Sequence, residues 1–232
     1  MKAAFLQAMN SERAARRACV LVTDPVHGAQ RLVLADGIAA DPLHEEIETA
    51  LRLGKSGMVE HDTGRYFLTV QAPPLRIVVV GAVHVSQALA SIAHLLGHRV
   101  IVVDPRTAFA SKERFPDADL LAQWPEEALP VVGIDRYTAF VALTHDPKID
   151  DPGLMAALQS DCFYIGALGS RKTHAKRLER LASAGIDAER LGRIHAPIGL
   201  DIGAVSPAEI ALSIMAEITA KQRKKPERPK GS

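Results

Sequence analysis

The chain has 232 residues, is 47% hydrophobic and 24% charged, and carries a formal net charge of +1, the profile of an ordinary folded protein with material for one large domain or a small one plus a medium one. Two cysteines, Cys19 and Cys162, give neither a disulfide framework nor a zinc-type pairing, and no apolar run approaches a membrane span. The charge is uneven: residues 221–232 hold six cations and one glutamate, so the rest sums to about −4, a poor sign for general nucleic-acid binding. The N-terminal segment is too broken by charge for a secretory signal, so a cytoplasmic protein without membrane or nucleic-acid partners is expected.

Over residues 1–72, alternating segments at 18–24, 31–36 and 66–71 predict short strands. Between them "DPLHEEIETALRLGKSG" reads as a helix, with Asp41 as N-cap, Pro42 in the first turn, Gly54 or Gly57 at the exit, and Ile47, Ala50 and Leu51 as its apolar stripe. This is a small α+β unit, and "APP" at 72–74 is the expected boundary. From 73 to 222 the pattern changes. Unbroken apolar runs at 75–80, 99–104, 138–143 and 162–167, with a short strand at 119–123, alternate with helical segments at 84–97, 151–160, about 170–184 and 206–222. Strands without polar alternation are buried on both faces, and such strands alternating with helices imply right-handed crossovers and a mostly parallel sheet. The expected fold class is α/β, with a doubly wound sheet whose ligands sit at the carboxyl ends of the strands. Residues 223–232 read as a disordered basic tail.

In such a sheet, the loops after successive strands share one edge. After the first strand, Gly81 ends the run and His84 opens the helix; Asp104 ends the next strand, 23 residues after Gly81. That spacing fits an acid on a ribose, but Val83 stands where a dinucleotide turn needs its second glycine. Gly81 is then either a ligand turn or a packing glycine, and His84 a cap-region residue or a ligand contact. Arg106 could clamp a phosphate or carboxylate, or pair with a nearby acid; Arg114 reads as surface. His145 and Asp146 could form an acid/base pair or a polar lid, with Asp146 as helix N-cap the alternative.

The fourth loop lies in "YIGALGSRKTHAKRLERL", residues 164–181. Gly166 and Gly169 allow tight turning, and Ser170 suits an N-cap. With Ala175, Leu178, Leu181 and Ala182 as the buried stripe, Arg171 and His174 fall on the same stripe and point at the sheet edge. A helix N-terminus is already positive, so two inward cations there call for an anion. Phosphate bound by Ser170, Arg171 and His174 is the expected ligand. A fifth segment, "RIHAPIGLDIGAVSPAEIAL", contains Asp201 in a glycine-rich loop shaped against a ligand or packed on the sheet, followed by a capping box at Ser206 and Glu209.

Together, "GAVHVSQALA", "YIGALGSRKTHAKRLERL" and "RIHAPIGLDIGAVSPAEIALSIMAEI" resemble the XdhC/CoxI family of molybdenum-hydroxylase accessory proteins, over roughly residues 75–218. The resemblance implies a small N-terminal domain and a Rossmann-like C-terminal one. It implies a chaperone that binds molybdenum cofactor, as molybdopterin or its dinucleotide form, and assists its sulfuration by a cysteine desulfurase and its insertion into a xanthine dehydrogenase or CO dehydrogenase-type hydroxylase. The sequence departs from the family in two places: Gly81-Ala82-Val83-His84 replaces the common Gly-Ala-Gly-His, and no cysteine stands in "ADGIAADPLHEEI", where many members have Gly-Gly-Cys. An NAD(P)-dependent oxidoreductase with Asp104 on the ribose, and a nucleotide-sensing module, are the competing readings. A homodimer is expected from the commonness of two-fold pairs.

Overall fold

The computed structural model describes residues 3–224, which form two compact units, one within Met1–Pro73 and one spanning Pro74–Gln222. The tail expected to be disordered lies, from residue 225 on, outside the described residues.

In the first unit, β1 (Cys19–Thr23), β2 (Gln30–Leu34), β3 (Gly57–His61) and β4 (Gly64–Gln71) form an antiparallel sheet in the order β2-β1-β4-β3. Strand β1 is apolar at every position from Cys19 to Val22 because both its faces are covered. Cys19 and Leu21 pack with Met9 of α1 (Ala3–Ala14), and Val20 and Val22 pack with Ile47 and Ala50 of α2 (His44–Leu53). Helix α2 exits through Gly54 in the left-handed conformation, as predicted, but its start is different. Asp41 caps a preceding 3-10 turn (Ala35–Ala40) rather than α2. Its carboxylate accepts from the Leu43 amide and from two nitrogens of the Arg31 guanidinium, at 2.8–2.9 Å.

In the second unit, β5 (Arg76–Val80), β6 (Arg99–Val103), β7 (Asp119–Leu121), β8 (Thr138–Ala142), β9 (Tyr164–Ala167) and β10 (Ile194–His195) form an all-parallel sheet in the order β10-β9-β8-β5-β6-β7. The period-2 alternation of a strand is visible in what each side chain touches. Ile77, Val79, Val100, Val102, Ala139 and Val141 join one core with α3 (His84–Leu95) and α8 (Pro207–Arg223), while Val78, Val80, Ile101, Val103, Phe140 and Ala142 join the other with α4 (Pro125–Val132), α5 (Pro147–Leu158) and α6 (Arg171–Ser183). A short α7 (Ala188–Leu191) precedes β10. Gly153 lets α5 lie close on the sheet: a Cβ there would come within 2.9 Å of the Phe140 ring. Burying Phe140 completely contributes about 2–3 kcal/mol. The strand order reverses between β5 and β8, the position where ligands bind in open α/β sheets.

Candidate functional site

At that reversal point the chain closes on itself. Gly81 has φ +116°, donates its amide to Val103, and lies so near the β8 exit that a Cβ would stand 2.7 Å from Thr144 Cγ2. It is a packing glycine. The next two amides are also taken: Ala82 donates to Asp104 Oδ2 at 2.8 Å, and Val83 to Ser86 Oγ at 2.7 Å. Asp104 is fully buried and also accepts from the Arg106 amide (2.9 Å), Nε (2.9 Å) and Nη2 (2.7 Å). Burial opposes its ionisation, but Arg106 and the two amides more than offset that and hold its carboxyl below the usual range. The Arg106 guanidinium also stacks over Phe109, 4.7 Å from the ring centre. Asp104 thus spends both oxygens within the chain, and Arg106 pairs with it through Nε and Nη2. Arg114, read as surface, instead donates to Ala82 O, Phe109 O and Gln87 Oε1 and ties the turn to the following loop. His84, the first residue of α3, is exposed.

The exits of β8 and β9 are built differently. Asp146 is the N-cap of α5, accepting from the Lys148 amide at 2.9 Å, and does not bond His145. His145 has φ +63°, a left-handed conformation uncommon outside glycine, and its amide donates to Asp150 Oδ2 at 3.0 Å. Asp150, 1% exposed, accepts also from the Thr144 amide and hydroxyl, at 3.2 and 2.7 Å. Burial, only partly offset by these bonds and by the charge of Arg177, pushes the Asp150 carboxyl above its ordinary range.

Ser170 caps α6 as expected, accepting from the Thr173 amide at 3.2 Å. The buried face of α6 is not the predicted one. Ala175 and Ala182 are exposed, and so is Arg171, which makes no bond among the described residues. The inward cation is Arg177, 2% exposed, which sequence reasoning passed over. Its Nη2 donates to Leu168 O at 2.8 Å; Nε and Nη1 are buried without a partner, as is His174 Nδ1. Burial lowers the pKa of His174, and Arg177 lowers it further. Gly169 (φ +139°) lets the β9–α6 loop pass close over the guanidinium, since a Cβ would lie 3.2 Å from Thr173 and 3.7 Å from Arg177 Nη2. Gly166 is another packing glycine, its open side filled by Ile198 and the Tyr164 ring. Between α5 and α6 runs a cleft of about 220 Å³, lined by His145, Asp150, Lys172, Lys176, Arg177 and Arg180, among others.

In the fifth segment, Asp201 is exposed and bonds to nothing described. The ordered feature there is Glu217 of α8, which accepts from the Tyr164 hydroxyl (2.6 Å), the Gly199 amide (2.8 Å) and His195 Nδ1 (2.8 Å). Burial opposes the charge, but His195 and Tyr164 hold Glu217 below the usual carboxylate range; burial and the facing carboxylate raise the Tyr164 hydroxyl. The capping box stands as read, with Glu209 Oε2 accepting from the Val205 and Ser206 amides at 2.8 Å. Among the described residues, no group of three or more His, Cys, Asp or Glu is placed to hold a metal, and no helix is long and apolar enough to cross a membrane.

Residues 77–218, which hold all of these exits, match the XdhC Rossmann domain. The chain belongs to the XdhC family. Similar curated proteins are the uncharacterized YqeB of Escherichia coli K12 (31% identical over 219 residues, 84% of this chain and 40% of that protein) and a probable xanthine dehydrogenase subunit of Bacillus subtilis 168 (34% over 157 residues, 67% and 46%). A third is the molybdenum cofactor insertion chaperone PaoD of E. coli K12 (32% over 148 residues, 64% and 40%). The matches thus span less than half the length of these relatives. A crystal structure described as a xanthine dehydrogenase from Bacillus halodurans shares the fold at 18% identity, with a TM-score of 0.60 covering 97% of this chain and 98% of that one.

Proposed function

We propose that this XdhC chain serves molybdenum cofactor maturation: it binds the cofactor at the carboxyl edge of the parallel sheet and assists its sulfuration and insertion into a xanthine dehydrogenase or CO dehydrogenase-type hydroxylase. A cysteine desulfurase and the hydroxylase are the partners, in the cytoplasm, and the chain works as a carrier, as a homodimer. The names borne by the relatives from B. subtilis and E. coli point this way. One structural observation carries the reading. The turn that seats pyrophosphate in a dinucleotide enzyme is filled by the chain's own groups, with the Ala82 and Val83 amides and the Asp104 carboxylate all committed, while a cationic cleft stays open at the heads of α5 and α6.

The cofactor is a pterin bearing a phosphate, with molybdenum held by the pterin's own sulfurs. The residues present fit the phosphate end: cations outnumber the two acids, Asp150 and Asp151, that line the cleft with them, and Asp151 is taken by Arg180. They offer the metal no thiolate, since Cys19 and Cys162 are buried and burial raises both thiols above their ordinary range. A carrier needs none. The cofactor supplies the redox centre of the client enzyme; the chain's residues hold its anionic end and cover it from water.

The test is purification of the full chain followed by fluorescence of released, oxidised pterin, with an NADPH titration in parallel. Captured pterin and no saturable NADPH binding is the expected result. Saturable NADPH binding without pterin capture overturns the reading in favour of a nicotinamide enzyme.

A further inference from the structure

A guanidinium taken out of water with unmade hydrogen bonds is among the costlier things a fold can hold. Arg177 is in that position: 2% exposed, one bond to a backbone carbonyl, and two nitrogens that meet neither solvent nor an acceptor. The carboxylate across the cleft attracts it but offsets only part of the cost of burial. Asp150 spends its oxygens on the Thr144 amide and hydroxyl and the His145 amide, and forms no ion pair with Arg177 within 4 Å among the described residues. Arg180, on the same wall, is already paired with Asp151 at 2.6 and 3.0 Å. That leaves Lys172, Lys176 and Arg177 facing Asp150 alone.

Further unpaired donors lie on the same helix, whose Lys172, Thr173 and Lys176 line the cleft. Helix α6 has 13 residues, and the amides of Arg171 and Lys172 in its first turn have no intrahelical acceptor. His174 adds a third buried nitrogen without a partner, one turn from Arg177. We infer that the cleft between α5 and α6 is a binding site for a phosphate-type oxyanion, with Arg177 as its principal donor. The guanidinium is held by one bond at Nη2, so its free edge can turn toward an oxyanion in the cleft and meet two oxygens at once, which a lysine in its place could not do. The exposed Lys172 and Lys176 add attraction at the rim without fixing geometry. The cleft leaves room for whatever carries the phosphate, and only the identity of that cargo rests on the cofactor reading.

The experiment is calorimetric titration of the full chain with inorganic phosphate at constant ionic strength. Wild type is expected to saturate. Arg177→Met, which keeps most of the volume, is expected to lose affinity at least tenfold without a lowered thermal midpoint, and Lys172→Ala two- to threefold. Should the Met variant not fold, Arg177→Lys keeps the charge and removes the fork, and is expected to lose several-fold. Absence of saturation below about 10 mM phosphate, or a folded Arg177 variant that binds as wild type does, overturns the inference. Repeating the pterin-capture measurement on the same variant separates the two proposals. Phosphate binding that needs Arg177, with no pterin captured by wild type, leaves the cleft and removes the cofactor. Pterin captured equally by wild type and the Met variant leaves the cofactor and removes the cleft.

Discussion

The exits of β5 and β9 lie on one edge of one sheet, yet they have opposite hydrogen-bond states. At the β5 exit the turn amides after Gly81 and the Asp104 carboxylate all have partners within the chain, and Gly81 is pressed against Thr144. At the β9 exit three buried nitrogens have none. The topology is that of a dinucleotide fold, so strand order alone would place the ligand at the first turn. The unsatisfied groups instead gather two strands away, at the β9 exit, and they are what supports the proposed anion site there. Where a fold leaves polar groups unpaired says more about its ligand than the fold's name does.

The sharpest way to break the contrast is at its closed end. Gly81→Ala puts a Cβ into Thr144 at a φ that only glycine adopts freely, and should cost about 3 kcal/mol, read as a lower urea midpoint with an unchanged slope. A cost below about 1 kcal/mol would mean the two loops are not packed together. Next comes Asp104→Asn, expected to lose about 2 kcal/mol because Arg106 keeps its charge and loses its partner.

The two regions should also differ in sign with pH. Asp104 is lowered in the fold, so its contribution is present above the ordinary carboxyl value of about 3.9 and is lost as pH falls below it. Asp150 is raised, so its contribution is present below about 3.9 and is lost as pH rises through its higher folded value. Stability profiles of Asp104→Asn and Asp150→Asn against wild type should therefore deviate in opposite directions in acid; deviations of the same sign would contradict the contrast. A smaller effect tests the open end: without phosphate, Arg177→Met should raise stability by about 1 kcal/mol, since it removes a buried charge that lacks partners. Smallest is Glu209→Ala, about 0.5–1 kcal/mol from the lost capping box and far from both exits, so it should leave phosphate affinity unchanged.

The sheet was legible because Val- and Ile-rich runs such as 76–80 and 99–103 can only be buried on both faces. Helices α1 and α4 were not. The first buries only Met9 and Glu12 and so shows little periodicity, and the second is short and contains Pro130. Strands β3 and β10 were missed as well; β10 has two residues, too few for a pattern. Helix α5 was read as starting at 151, with Asp146 as a helix N-cap only the alternative, whereas the helix is capped by Asp146 and runs from Pro147 through Pro152. Helix α6 was located correctly but turned wrongly. Alanine carries little information about which way a helix faces, so Ala175 and Ala182 were poor markers, and Arg177, of a residue type so seldom buried, drew no reading at all. The Glu217 network joins residues 53 positions apart and has no local signature at all.

That network has a bearing on how the domain comes apart. A single carboxylate fastens the last helix to strand β9, to the end of β10 and to the loop at Gly199, so these segments share one rivet. Deuterium uptake at 164–167 and 194–199 should accelerate together in Glu217→Gln, as one unit opening, while the far side of the sheet around β6 and β7 keeps its wild-type exchange.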